Sequence, residues 1–333
     1  MLIIGIQDIQ LSAREREWIA TPQVSGVILF KRNFASRTQV TALIEELRAE
    51  RGDAFLVCVD QEGGPVQRFR EGFIRLPALA RLGELYDRDP QQALALAEEH
   101  AWLMATEMRA IDIDISFAPV VDLQRGNRAI GERALHAQPA SVSALGLAYL
   151  RGMRLAGMAA TIKHFPGHGS VLEDTHVDNA VDARSLAELR RDDLLPFADA
   201  IVAGAEAVMM AHVVYPQIDA QPAGYSRIWI QDILRGEFGF RGVVFSDDIS
   251  MTAAESAGGI DARIAAHHEA GCDLVLVCKP EIVDASLRAV RDAVPCDPAR
   301  LATLRGGVAS TWDALVSNPQ RDRFIAHLKE LIS

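Results

Sequence analysis

Gly26-Val27-Ile28-Leu29-Phe30 and Gly242-Val243-Val244-Phe245 are apolar at nearly every position. Neither carries the 3.6-residue period of an amphipathic helix. A short, continuous apolar run suits a strand buried on both faces, which is the habit of parallel sheets. Working outward from these two, similar runs fall at 2–6, 55–60, 115–122, 159–164, 207–214 and 273–278, which makes eight with 26–30 and 242–247. The intervening segments read as helices. Ser36 caps one whose apolar positions Val40, Leu43, Ile44 and Leu47 follow i, i+3, i+4, i+7, and Gly52 ends it. Asp89-Pro90 opens another that runs to about Arg109. Ser185-x-x-Glu188 is a capping box, and Pro196 predicts a kink or a second helix after it. Strands alternating with helices imply parallel strands and right-handed crossovers. Eight of them predict an α/β fold of (β/α)8 TIM-barrel type spanning 1–333 as one domain. A doubly wound sheet is the alternative, and it lacks a Gly-rich dinucleotide fingerprint after the first strand.

Hydrophobic residues make up 49% of the 333 and charged residues 24%, which excludes a disordered chain. With 34 Lys+Arg against 45 Asp+Glu the net charge is -11, which argues against nucleic-acid binding. Cys58, Cys272, Cys278 and Cys296 form no C-x-x-C pair and predict reduced thiols. The first apolar stretch is too short for a signal peptide, and no window approaches the ~18 apolar residues of a membrane span. The expectation is a cytoplasmic chain with no membrane partner.

In a (β/α)8 barrel, chemistry gathers at the C-terminal ends of the strands. Polar residues stand at those ends here: Asp60-Gln61-Glu62-Gly63-Gly64-Pro65-Val66-Gln67-Arg68; Asp122, followed by Arg128 and Arg133; Lys163-His164-Phe165-Pro166-Gly167-His168-Gly169; His212; and Ser246-Asp247-Asp248. Asp247, after an apolar strand, is placed to act as a nucleophile or to cap a helix. His164, His168 and His176 invite a metal reading, although H-E-x-x-H is absent and Lys163 would repel a cation. Asp174 and His176 stand two apart, so an extended loop projects both to one side as an acid/base pair. A metal-dependent barrel hydrolase therefore stays open as an alternative.

The motifs Asp60…Gly63-Gly64-x-Val66-x-Arg68, Ile130-Gly131-Glu132-Arg133, Lys163-His164-Phe165-Pro166-Gly167-His168-Gly169, Asp174-x-His176 and Ser246-Asp247-Asp248-x-Ser250-Met251 resemble glycoside hydrolase family 3. They do so in the family's order, up to about residue 280. The KHFPGHG stretch resembles its N-acetylglucosaminidase branch; a family 3 β-glucosidase is the other alternative. The resemblance implies that Asp247 is the nucleophile, His176 the general acid/base and Asp174 its partner. Asp60, Arg68, Arg133, Lys163 and His164 would hold the sugar. It further implies hydrolysis of N-acetylglucosaminyl–1,6-anhydro-N-acetylmuramyl peptides in peptidoglycan recycling, and through it cell-wall biogenesis, shape and division. The chain would work as a monomer on a small sugar, with no metal and no organic cofactor. The segment after about 296 is poorly matched.

Overall fold

The computed structural model describes residues 1–52, 55–175, 178–307, 309–329 and 331. Each apolar run contributes one strand to the main sheet: β1 Leu2–Gly5, β2 Val24–Leu29, β3 Leu56–Val59, β4 Ile115–Ser116, β5 Thr161–Phe165, β6 Ala207–Met210, β7 Val243–Asp248 and β8 Leu274–Val277. They lie in one sheet in the order β4-β3-β2-β1-β8-β7-β6-β5, and their pairings are parallel. The two ends meet. A parallel bridge joins Val120 to Lys163, the Thr161 N–H donates to the Ala118 carbonyl at 2.9 Å, and the Val121 N–H to the Lys163 carbonyl at 3.0 Å. The ring is thus the (β/α)8 barrel that the run count predicts.

Continuous burial hides a period of two. Ile3, Ile28, Cys58, Met209, Phe245 and Leu276 belong to an inner cluster, while Leu2, Ile4, Val27, Val57, Val208 and Val244 join the larger cluster against the helices. Phe117 and Phe245 meet edge to face inside, with ring centroids 5.2 Å apart. Away from their C-terminal ends the strands are largely apolar on both faces because both are buried, which is why the sequence shows runs and not alternation.

Helix caps follow the sequence. The Ser36 hydroxyl accepts the Gln39 N–H and Gly52 ends the helix Arg37–Arg51. Asp89 accepts from Gln92 at the start of Pro90–Arg109, and the capping box of Ser185 and Glu188 opens Leu186–Arg191. Pro196 lies in the first turn of a second helix, Leu194–Val202. Two runs depart from expectation. The run 207–214 splits into β6 and Val213–Tyr215, which pairs in a separate three-stranded sheet with Ala180–Val181 and Asp219–Pro222. The run 115–122 keeps ladder pairing only at Ile115–Ser116 and the Val120 bridge, because Pro119 has no N–H to donate.

The poorly matched C-terminal segment has a packing role. Leu301 and Leu304 join the inner cluster beside Met1, Ala159 and Val243, closing the N-terminal end of the barrel. Arg300 is ion-paired with Asp273, just ahead of β8. The helix Pro319–Lys329 lies on Pro90–Arg109 through Phe324 and Trp102, centroids 5.3 Å apart. Cys58, Cys272 and Cys278 are buried and all four thiols are free. Among the described residues, no helix is long and apolar enough to cross a membrane. Leu304 is fully buried, so Leu304→Ala is expected to cost about 2–5 kcal/mol of stability in urea unfolding. The C-terminal mouth of the barrel should be unaffected; a loss within error of zero would remove Leu304 from the plug.

Candidate active site

In a regular strand, consecutive side chains face opposite sides. Two strand ends break that rule. Between Ile162 and Phe165 the pairing of β5 with β6 shifts register, and Lys163 and His164, joined by a cis peptide, both line the same cavity. Between Phe245 and Asp248 the pairing of β7 with β8 shifts likewise, and Asp247 and Asp248 both reach the cavity. The Ser246 hydroxyl fills the irregularity, accepting the Leu276 N–H at 3.0 Å and donating to the Asp247 carbonyl at 2.6 Å. Bulges commonly re-aim side chains beside active sites.

The cavity is about 410 Å³ and opens at the C-terminal mouth of the barrel. Asp60, Arg68, Arg133, Lys163, His164, Asp174 and Asp247 all line it, with Phe30, Met209 and Met251 among the apolar neighbours. These are seven of the eight site residues that the sequence singles out. The eighth, His176, lies outside the described residues.

Glu62, which the sequence analysis left unassigned, organises the wall. Its carboxylate holds Arg133 through two bonds of 2.8 Å and Lys163 at 2.6 Å. Asp60 holds Lys163 at 3.1 Å and Arg68 at 3.1 Å. Burial alone would raise both carboxyls. The cations outweigh it: Lys163 and Arg68 hold Asp60 well below the usual carboxylate range, and Arg133 and Lys163 hold Glu62 down at about 2. Glu62 raises Arg133 in turn, against its burial. A signal for Glu62 was present, because it stands two residues after Asp60 and so on the same side of an extended segment.

Asp248 caps the turn after β7, accepting the Ser250 N–H at 3.0 Å and the Cys278 N–H at 3.2 Å. Asp247 accepts the Asp248 N–H at 2.8 Å. His212 is buried behind β7, not on the cavity wall, with Nε2 3.2 Å from the Asp248 carbonyl. Arg128 is exposed. His164 and His168 are each engaged: His164 Nδ1 meets Asp122 at 2.7 Å, and His168 Nε2 meets the Thr175 hydroxyl at 2.9 Å. Burial drives the His168 pKa down to about 4. Among the described residues, no cluster of three His, Cys, Asp or Glu side chains could hold a metal ion.

The KHFPGHG loop needs its glycines for close approach. A Cβ on Gly169 would lie 1.8 Å from the Leu123 carbonyl oxygen, and Gly167 has φ +125° with Asp193 2.6 Å from where its Cβ would stand. Ser170 donates to Asp193 at 2.8 Å, and Tyr215 donates to the Gly167 carbonyl. This base carries the loop to Asp174 and Thr175, whose carbonyl accepts the Ala253 N–H at 3.2 Å.

Residues 2–297 match the glycosyl hydrolase family 3 N-terminal domain. The chain belongs to glycoside hydrolase family 3. A beta-hexosaminidase of Stenotrophomonas maltophilia (strain R551-3) is 60% identical over 332 residues, covering 100% of this chain and 99% of its own. A beta-hexosaminidase of Xanthomonas axonopodis pv. citri is 58% identical, covering 95% of each chain. Among solved structures, NagZ from Neisseria gonorrhoeae in complex with N-trifluoroacetyl-D-glucosamine superposes with a TM-score of 0.91 at 40% identity, over 100% of this chain and 98% of that one. A glycoside hydrolase acts on a sugar; the cavity wall combines the carboxylates of Asp60 and Asp247, the N–H groups of Arg68, Arg133 and Lys163, and apolar neighbours.

The Glu62 network makes a prediction for this family 3 site. A carboxyl held near 2 in the folded chain and near 4.5 when unfolded stabilises the fold above about pH 4.5, and that contribution is lost as pH falls from 4.5 towards 2. Glu62→Gln is expected to be less stable at pH 7 by about 3–5 kcal/mol, since Arg133 keeps a buried charge without its carboxylate and Lys163 is left with Asp60 alone. It should also lose less stability than wild type between pH 5 and 3 in urea unfolding. Identical pH profiles for the two would contradict the ionised, paired state of Glu62.

Proposed function

We propose that this chain is a retaining, exo-acting β-N-acetylglucosaminidase. It removes terminal N-acetylglucosamine from N-acetylglucosaminyl–1,6-anhydro-N-acetylmuramyl peptides in cytoplasmic peptidoglycan recycling, a supply line for cell-wall biogenesis that bears on shape and division. The chain acts as one domain and as a monomer. The observation that supports this reading most is convergence: Asp60, Arg68, Arg133, Lys163, His164, Asp174 and Asp247 come from four strand ends and the loops after them to one cavity of about 410 Å³. The beta-hexosaminidase relatives at 55–62% identity point the same way.

Retaining hydrolysis runs through two displacements on the anomeric carbon. In this reading the Asp247 carboxylate attacks that carbon while His176 gives a proton to the departing glycosidic oxygen. The bond to the leaving sugar breaks and a glycosyl ester with Asp247 forms. His176, now neutral, takes a proton from water, whose oxygen attacks the same carbon and frees Asp247. Asp174 holds the imidazole and stabilises its charged form. Asp60, fixed in its ionised state by Lys163 and Arg68, accepts hydroxyl protons of the sugar. These charges are set before substrate arrives, so little reorganisation accompanies the oxocarbenium-like transition state.

The test is hydrolysis of p-nitrophenyl N-acetyl-β-glucosaminide against the β-glucoside, with and without a strong chelator. Preference for the N-acetylglucosaminide, unaffected by chelator, is expected. Preference for the glucoside would indicate a β-glucosidase, and loss with chelator a metal-dependent hydrolase. Asp247→Ala should be folded and lose several powers of ten in kcat; an active Asp247→Ala with a dead Asp248→Ala would reassign the nucleophile.

His176→Ala should discriminate between leaving groups. A sugar alcohol needs a proton to depart, whereas an activated phenol leaves nearly unassisted, so kcat/KM should fall roughly 10²–10⁴-fold on the disaccharide and far less on the aryl glycoside. Equal losses on both would exclude the acid/base role.

A further inference from the structure

Asp122 is 1% exposed, follows the short β4 and faces three N–H donors. Its Oδ1 accepts the His168 backbone N–H at 2.7 Å and the His164 backbone N–H at 3.2 Å. Its Oδ2 lies 3.2 Å from that same His164 N–H and 2.7 Å from His164 Nδ1. No neutral group of this shape serves all three donors, because an amide offers one oxygen and turns its NH2 on the others. Three N–H donors converging on two oxygens fit an ionised carboxylate, which accepts from all of them.

An ionised carboxylate only accepts, so the proton between the two groups sits on His164 Nδ1. In the neutral ring Nε2 then carries a lone pair, and His164 stands on the cavity wall. Beside it, Lys163 can only donate, and two of its three N–H groups are taken by Asp60 at 3.1 Å and Glu62 at 2.6 Å. The wall therefore sets a donor and an acceptor side by side, which is the complement of a hydroxyl.

We propose that Asp122 is a positioning residue that fixes the tautomer of His164, so that the imidazole meets the substrate as a hydrogen-bond acceptor and selects a sugar bearing an O–H or N–H at that point. The inference rests on the reading of the cavity as a sugar site. Asp122 touches no substrate; it acts through His164 and, by its bond to the His168 N–H, through the path of the loop that leads to Asp174.

Ring ¹⁵N–¹H correlation spectra of the full-length wild type, with His164 assigned from the His164→Gln spectrum, read the tautomer directly. His164 is expected as Nδ1–H alone at the pH of the kinetics; an Nε2–H tautomer or a ring carrying both protons in the wild type overturns the proposal, and this arm needs no Asp122 variant to fold. In Asp122→Asn, kcat/KM on p-nitrophenyl N-acetyl-β-glucosaminide should fall roughly 10–100-fold, the scale of losing a group that orients a histidine ligand. A set of 2-, 3-, 4- and 6-position deoxy analogues separates positioning from bulk damage. One analogue should be handicapped in the wild type and lose that handicap in Asp122→Asn and in His164→Gln alike. A uniform loss across the set would mark Asp122 as merely structural. If the wild type hydrolyses no aryl N-acetylglucosaminide at all, the glycosidase reading fails, while the spectrum still decides the tautomer.

Discussion

The Lys163 ammonium is buried at the mouth of the barrel, 2% exposed, between the carboxylates of Asp60 and Glu62. A charge in such a place is tolerable only with close counter-charges, since an isolated buried ion would cost many kcal/mol. That requirement ties the end of β5 to the end of β3. Glu62 then takes Arg133 in a two-pronged contact and so draws in the loop after β4. Asp60 takes Arg68, from the hairpin that follows β3. Three separate segments are thereby held at one wall. Glu62 is the critical member, because among the described residues Arg133 has no other carboxylate partner in this network, whereas Lys163 and Asp60 each have two partners.

The same wall explains how a densely charged cavity holds its charges in place. Each charged group on it is paired and fixed, with its acceptor or donor capacity only partly spent. Such a surface offers oriented dipoles that water would have to rearrange to supply. Asp174, Asp247 and Asp248 complete the lining, and Asp248 is committed to the turn by its bonds to Ser250 and Cys278. Two neighbouring carboxylates thus stand in different surroundings: Asp248 accepts the Ser250 and Cys278 N–H groups, while Asp247 accepts the Asp248 N–H.

The loop after β5 depends on close packing at its base. Gly169 lies against the Leu123 carbonyl where any side chain would collide, and Gly167 takes a left-handed conformation against Asp193. Asp122 gathers the His164 and His168 N–H groups from beneath, and His168 reaches Thr175. The fixed stretch therefore extends to Thr175, next to Asp174 on the cavity wall.

The eight apolar runs were readable from the sequence because strands buried on both faces admit only apolar residues. Helix caps were readable because they are local: Ser36, Asp89 and the Ser185–Glu188 box each act on a backbone N–H within three residues. The cluster of polar residues at strand ends, and with it the family resemblance, was equally legible from order and spacing alone. Three things were not. The plug formed by Leu301 and Leu304 depends on chain segments some 300 residues apart meeting at one barrel end. That Lys163 with His164, and Asp247 with Asp248, line one cavity arises from register shifts, which are a property of two strands together and not of either one. The roles of Glu62 and Asp122 rest on partners 71 and 42 residues away in sequence. A carboxylate reads alike in every sequence; only folding decides which charge it must balance and which proton it fixes.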